Sequence, residues 1–133
     1  MLINFLKKLN IIYFSISILF FISCALEKKE LNQDSSMSFI AYQSYINGKS
    51  IIFTMKPDGS EIKQLTINNY NNSWPRWSPN GEKIIFVSDR DGNDEIYIMN
   101  RDGSGQRRIT NHPADDYCPI WSPDGSMIAF CTR

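Results

Sequence analysis

The chain has one histidine, His112, and three cysteines in 133 residues, so it is sparsely equipped for acid–base or thiol chemistry. It contains no Gly-x-Ser-x-Gly elbow, which removes the usual sequence sign of a serine hydrolase. Neither sign of charge dominates: 14 Lys and Arg face 14 Asp and Glu. Nucleic acid is therefore not an expected partner, because phosphate binding draws on a basic surplus. No apolar run approaches the roughly 20 residues that carry a helix across a bilayer. What the chain does have is 42% hydrophobic residues, enough for a globular core, and these are unevenly placed.

Lys7 and Lys8 precede a nearly unbroken apolar run from Ile11 to Ile22, followed by Ser23 and Cys24. That order reads as a secretory leader over residues 1–23. A permanent transmembrane anchor is the alternative, and the run is short for it. Phe21-Ile22-Ser23-Cys24 resembles the lipobox of bacterial lipoproteins, with Phe21 where leucine is usual. The resemblance implies that Cys24 is acylated and holds the chain to a membrane surface without spanning it. An ordinary signal peptide followed by a chance cysteine remains open. Residues 24–37, with Glu27-Lys28-Lys29-Glu30 and Asn32-Gln33-Asp34-Ser35-Ser36, form a polar tether.

Beyond the tether the chain repeats itself every 44 residues. Trp77-Ser78-Pro79-Asn80-Gly81 returns as Trp121-Ser122-Pro123-Asp124-Gly125, and Asp58-Gly59-Ser60 returns as Asp102-Gly103-Ser104. Leu65-Thr66 returns as Ile109-Thr110, while Ile40-Ala41-Tyr42 maps onto Ile84-Ile85-Phe86 and then Ile128-Ala129-Phe130. Within each copy the apolar stretches are short, rich in Ile, Phe, Tyr and Val, and bounded by turn residues, which is a strand pattern. The complete copy is expected to hold strands near 75–78, 83–88, 95–100 and 107–110. Ser-Pro-Asp-Gly suits a tight turn, since proline presets φ, aspartate bonds nearby backbone and glycine accepts a left-handed conformation. Trp121 should accordingly face Ile128 across a hairpin.

Four antiparallel strands in a repeat of this length specify the blade of a β-propeller. The expected fold is all-β, with about two blades over residues 38–133. Counting back from Trp77 meets Gln33, so the first copy lacks the Trp-Ser-Pro block and begins at its second strand. A closed ring takes about four to eight blades. The sequence is therefore expected to be part of a larger propeller; assembly of short chains into a ring is the rival.

The run Ser88-Asp89-Arg90-Asp91-Gly92-Asn93-Asp94-Glu95-Ile96-Tyr97-Ile98-Met99-Asn100, with Trp121-Ser122-Pro123-Asp124-Gly125 and Asp102-Gly103-Ser104, resembles the TolB-like β-propeller repeat over residues 38–133. The resemblance implies a binding propeller of the cell envelope. It equally admits the front piece of a propeller-gated, prolyl-oligopeptidase-like hydrolase whose catalytic domain lies elsewhere. TolB itself carries a small α/β domain ahead of its propeller, where this chain has a tether.

Chain direction reverses at every turn, so the loops after each second strand and after each fourth strand share one face. That face is expected to collect Asp89, Asp91, Asp94, His112, Asp115 and Asp116 with Tyr45, Tyr70, Trp74 and Tyr117. Acidic groups among aromatics suit a protein, peptide or carbohydrate ligand. Asp89 to Glu95 faintly resembles a calcium loop but lacks its bidentate glutamate, and a polar turn is the favoured reading. Trp77 and Trp121 are read as blade packing, and His112 as a loop residue rather than a base. No metal, cofactor or catalytic residue is assigned. Around the Asp124-Gly125 turn, Cys118 falls opposite Cys131, which offers a cross-strand disulfide in an oxidising compartment, with two free thiols as the equal alternative. The expected role is a lipid-anchored, non-enzymatic binding protein of the envelope, facing the periplasm or the cell surface.

Overall fold

The computed structural model describes residues 38–133, and every regular element among them is a β-strand. The leader, Cys24 and the tether lie outside the described residues. Strands β1 (Ile40–Ile46), β2 (Lys49–Met55) and β3 (Lys63–Gln64) form a first sheet in that order. A second sheet orders β4 (Asn72–Trp77), β5 (Lys83–Ser88), β6 (Glu95–Asn100) and β7 (Arg107–Arg108), and β8 (Asp116–Trp121) pairs with β9 (Ile128–Thr132). All pairings are antiparallel. The middle sheet is one complete blade, and the first sheet begins at a second strand, as the missing Trp-Ser-Pro block implies.

The turns follow from their residues. Asn47 and Gly48 sit at φ 49° and 79° between β1 and β2, the two-residue geometry whose twist suits a hairpin. Gly103 (φ 90°) packs against the Leu65 backbone, where a Cβ would come within 2.9 Å of the Leu65 carbonyl oxygen. Only glycine fits there, and that close approach seats the third loop of the second blade against the first.

Both middle strands of the second blade are buried on both faces. Ile84, Ile85, Phe86 and Val87 of β5 and Ile96, Tyr97, Ile98 and Met99 of β6 are all core. One face, Ile84 with Phe86, Tyr97 and Met99, packs on Ile52 and Leu65 of the first blade. The other faces β8. This explains why β5 reads as a continuous apolar run rather than an alternating one. The blades also share an aromatic device: Tyr42 stacks on Phe53 at 5.6 Å, and 44 residues on Phe86 meets Tyr97 at 5.7 Å.

Two expected strands differ in extent. β7 stops at Arg108 because the next residues turn inward: the amides of Ile109 and Thr110 donate to the Ile96 carbonyl, while the Ile96 amide donates to the Thr110 hydroxyl. A side chain replaces the backbone ladder there. β4 starts at Asn72 rather than Pro75, because a bulge between Ser73 and Arg76 lets pairing resume on both sides of the proline.

The equivalent bulge in β8 corrects the cysteine pairing. Trp121 faces Ile128 as expected, but the register shifts between Tyr117 and Ile120, so Cys131 lies opposite Tyr117 rather than Cys118. Cys118 occupies the bulge at φ 53°, and both thiols are free. A single extra residue in one strand separates side chains that simple counting had placed opposite each other.

Candidate functional site

The loop face is organised by carboxylates and carboxamides that bind backbone across blade boundaries. The Asn71 side chain accepts the Ser50 amide at 3.2 Å, and 44 residues on the Asp115 side chain accepts the Asp94 amide at 3.0 Å. Thr66 accepts the Ile52 amide, as Thr110 accepts that of Ile96. Asp89 then clamps Asn71, taking its backbone amide at 2.8 Å and its side-chain amide at 2.7 Å. Asn93 reaches the carbonyls of His112 and Ala114. Of the acidic loop residues, Asp115 thus latches the second blade to the third, while Asp89 ties Asn71 to the end of β5 within the second blade.

Asp91 accepts the Tyr97 hydroxyl and pairs with Arg108 at 3.0 Å. Those two hydrogen bonds hold its carboxyl below the usual range, and burial together with the Asp91 bond pushes Tyr97 up to about 12. Asp94 is raised, first by partial burial and then by the neighbouring carboxylates of Asp115 and Asp89. His112 is exposed; its ring Nδ1 accepts the Ala114 amide and its own amide donates to Glu95. Among the described residues no three His, Cys, Asp or Glu side chains converge in a metal-binding group.

The aromatic side chains behave differently. Tyr45 is 76% exposed, Trp74 46% and Tyr70 44%, while Tyr117 is half-buried against its hairpin partner. Trp74 holds a left-handed backbone at φ 54°, which costs a large side chain energy, and its amide donates to the Gln43 side chain at 2.7 Å. Cys118, 44 residues later, adopts the same conformation, and the prolines after both, Pro75 and Pro119, are buried. The repeat thus builds a strained bulge in each first strand, and in the second blade it displays an indole.

Two charged residues carry more of the architecture than their sequence context suggests. Glu95 is 1% exposed and accepts from Thr110, His112 and Asn93, with Arg108 at 3.9 Å. Arg90 lies over the rings of Tyr97 (4.4 Å) and Phe86 (5.4 Å) and donates to Asn72, Ser88 and Gln106 at 2.9–3.0 Å. Asp89-Arg90-Asp91 reads as a solvated turn; the signal that separates Arg90 from it is only the two aromatics, at offsets of four and seven residues.

Blades of four antiparallel strands, repeated at fixed spacing and packed face to face, define a β-propeller. The TolB beta propeller domain model matches residues 32–133, and the chain belongs to that family. Two Tol-Pal system proteins TolB, from Wolbachia sp. subsp. Drosophila simulans (strain wRi) and Wolbachia pipientis wMel, are each 40% identical over 68 residues. That alignment takes in 50% of this chain and 16% of theirs, so the chain spans about a sixth of the relatives it matches. Among solved structures, a TolB-type protein of Agrobacterium tumefaciens superimposes with a TM-score of 0.69 at 29% identity, over 74% of this chain and 36% of that one. TolB of Acinetobacter baumannii gives 0.62 at 26%, over 69% and 23%.

Proposed function

We propose that the chain is a non-enzymatic, envelope-located propeller segment that binds a protein partner through the loop face carrying Tyr45, Tyr70 and Trp74. The observation that carries this reading is Trp74: a half-exposed indole on a strained bulge, held by Gln43 beside loops that Asp89, Asn71 and Asp115 latch to one another. Rigid, exposed aromatics are the side chains that anchor protein interfaces, and pre-organised loops lower the entropic cost of binding. The family and its TolB relatives of the Tol-Pal system support an envelope partner over a soluble metabolite. Acylation of Cys24 would place the propeller at a membrane surface on its polar tether, facing the periplasm or the cell exterior.

Site-specific photo-crosslinking in cells tests the reading. A photoreactive residue at Trp74 should capture an envelope protein, whereas the same residue at exposed Asn80, in the turn after β4 and so at the other end of the blade, should not. Adducts only from position 80, or none from either site in folded protein, would reject the loop face as the binding surface.

A further inference from the structure

Six of the seven glycines follow an aspartate or an asparagine: Asn47-Gly48, Asp58-Gly59, Asn80-Gly81, Asp91-Gly92, Asp102-Gly103 and Asp124-Gly125. Each pair carries latent chemistry. The glycine amide nitrogen can attack the side-chain carbon Cγ of the residue before it, because no Cβ crowds the approach. Whether it does depends on how firmly the fold holds the two groups.

In five of the six pairs both groups are engaged. The amides of Gly59, Gly81, Gly92, Gly103 and Gly125 each donate to the carbonyl three residues earlier, at 2.9–3.1 Å. The side chains before them are bound too. Asp58 and Asp102 accept the amides and hydroxyls of Ser60 and Ser104, Asp124 accepts from Ser122 and Ser126, and Asp91 accepts from Tyr97 and Arg108. Seryl hydroxyls and amides hold the carboxyls of Asp58, Asp102 and Asp124 below their usual range, which keeps them ionised and so poor targets for a nucleophile. Asn80 accepts the Ser78 hydroxyl and the Glu82 amide and donates to the Glu82 carboxylate at 3.0 Å. Asn47-Gly48 differs. Both residues are exposed at the tip of the β1–β2 hairpin, and among the described residues neither the Asn47 side chain nor the Gly48 amide makes a hydrogen bond. Such a tip opens locally at little cost.

We infer that Asn47 is a site of spontaneous deamidation, and that the fold protects Asn80, which heads the other Asn-Gly pair. The Gly48 nitrogen, its proton passed to hydroxide, bonds to Asn47 Cγ; the Cγ–Nδ2 bond breaks, and Nδ2 takes a proton from water and leaves as ammonia. Water then opens the succinimide. Opening at Cγ gives aspartate, and opening at the former backbone carbonyl gives isoaspartate, whose main chain runs through Cβ and Cγ. One water is consumed and one ammonia released, with no other reactant. Either product adds a negative charge beside exposed Tyr45 on the loop face, and isoaspartate also lengthens a turn whose length sets the pairing of Ile46 with Lys49. The inference does not rest on the partner proposed for the Trp74 face.

The test incubates the 133-residue chain, its fold checked by circular dichroism, in mildly alkaline buffer and maps its peptides at intervals by mass spectrometry, with isoaspartyl methyltransferase labelling of the isomer. Conversion at residue 47 is expected to run at least about tenfold faster than at residue 80, the order of protection that one hydrogen bond of the glycine amide supplies. Isoaspartate should appear at residue 47 and at none of the four Asp-Gly pairs. In denaturant the two asparagines should convert at similar rates, which assigns the difference to the fold. Asn47→Gly keeps a residue suited to the left-handed turn and should abolish the labelling. Equal rates at 47 and 80 in the folded chain, faster conversion at 80, no conversion at 47 where the denatured chain converts, or labelling that persists in Asn47→Gly would overturn the inference.

Discussion

Replacing Arg90 by lysine keeps the charge and most of the side-chain length but removes the planar fork, and the structure sets the size of the consequence. Arg90 makes three hydrogen bonds to neutral acceptors on three different segments, Asn72, Ser88 and Gln106, and stacks on two rings. Lysine retains one of these bonds at a time. Losing two, at about 1.5 kcal/mol each for a charged donor before discounting for partial exposure, and about 0.5–1 kcal/mol of ring contact, gives a loss of about 2–3 kcal/mol. Asn72, fully buried, bears the sharpest part, since its Oδ1 loses its donor. For a domain near 100 residues that corresponds to a fall in Tm of roughly 10–20 °C. Thermal unfolding followed by circular dichroism measures it, and a double-mutant cycle with Asn72→Ala isolates the pairwise part. An Arg90→Lys protein within about 0.5 kcal/mol of the parent would refute the assignment of Arg90 as the pin between these segments.

Further outcomes follow from other groups. Tyr97, held near 12, titrates above its unfolded value, so its contribution to stability is intact below pH 10 and is lost as pH rises toward 12; Tyr97→Phe should remove that alkaline limb from a stability–pH profile. Asp91 runs the other way: its carboxyl is held low by Tyr97 and Arg108, so its contribution is present above the ordinary carboxylate value of 3.8 and fades as pH falls through the depressed one, a limb that Asp91→Asn should flatten. Trp74→Gly relieves the left-handed backbone while losing a half-exposed indole, so stability should change by less than about 1 kcal/mol while partner capture is lost; a large destabilisation would mean that Trp74 is structural. Cys118 and Cys131 should both alkylate without reductant, exposed Cys131 faster, and protection of both would restore the cross-strand disulfide. Cys24→Ser should shift the chain from the membrane fraction to the soluble one, and unchanged fractionation would remove the lipid anchor.

Much of the architecture was legible because it repeats. An offset of 44 residues shared by separate blocks located β5 and β6 to the residue, since both are bounded by turn chemistry and filled with β-branched and aromatic side chains. The loop face was legible too, because strand parity alone decides which loops neighbour one another. Less accessible were the roles within that face. Asp89, Asp115 and Asp116 share a composition with ligand-binding acids, yet two of them latch backbone and the third is buried, where it accepts the Thr132 hydroxyl. Nothing in an isolated Asp distinguishes these fates, because each depends on which amide the neighbouring blade brings within 3 Å.

By itself, then, the sequence determined the strand-and-turn rhythm, the blade count over residues 38–133 and the sharing of one face by the Asp-rich loops, all of which depend on local periodicity and turn preference. Tertiary structure alone decided the rest. The bulges at Trp74 and Cys118 are one-residue insertions that parity counting cannot register, and they moved Cys131 from Cys118 to Tyr117. The seat of Arg90 arises only when β4, β5 and the loop before β7 are brought together, because a guanidinium site is a property of three segments meeting and not of any one of them.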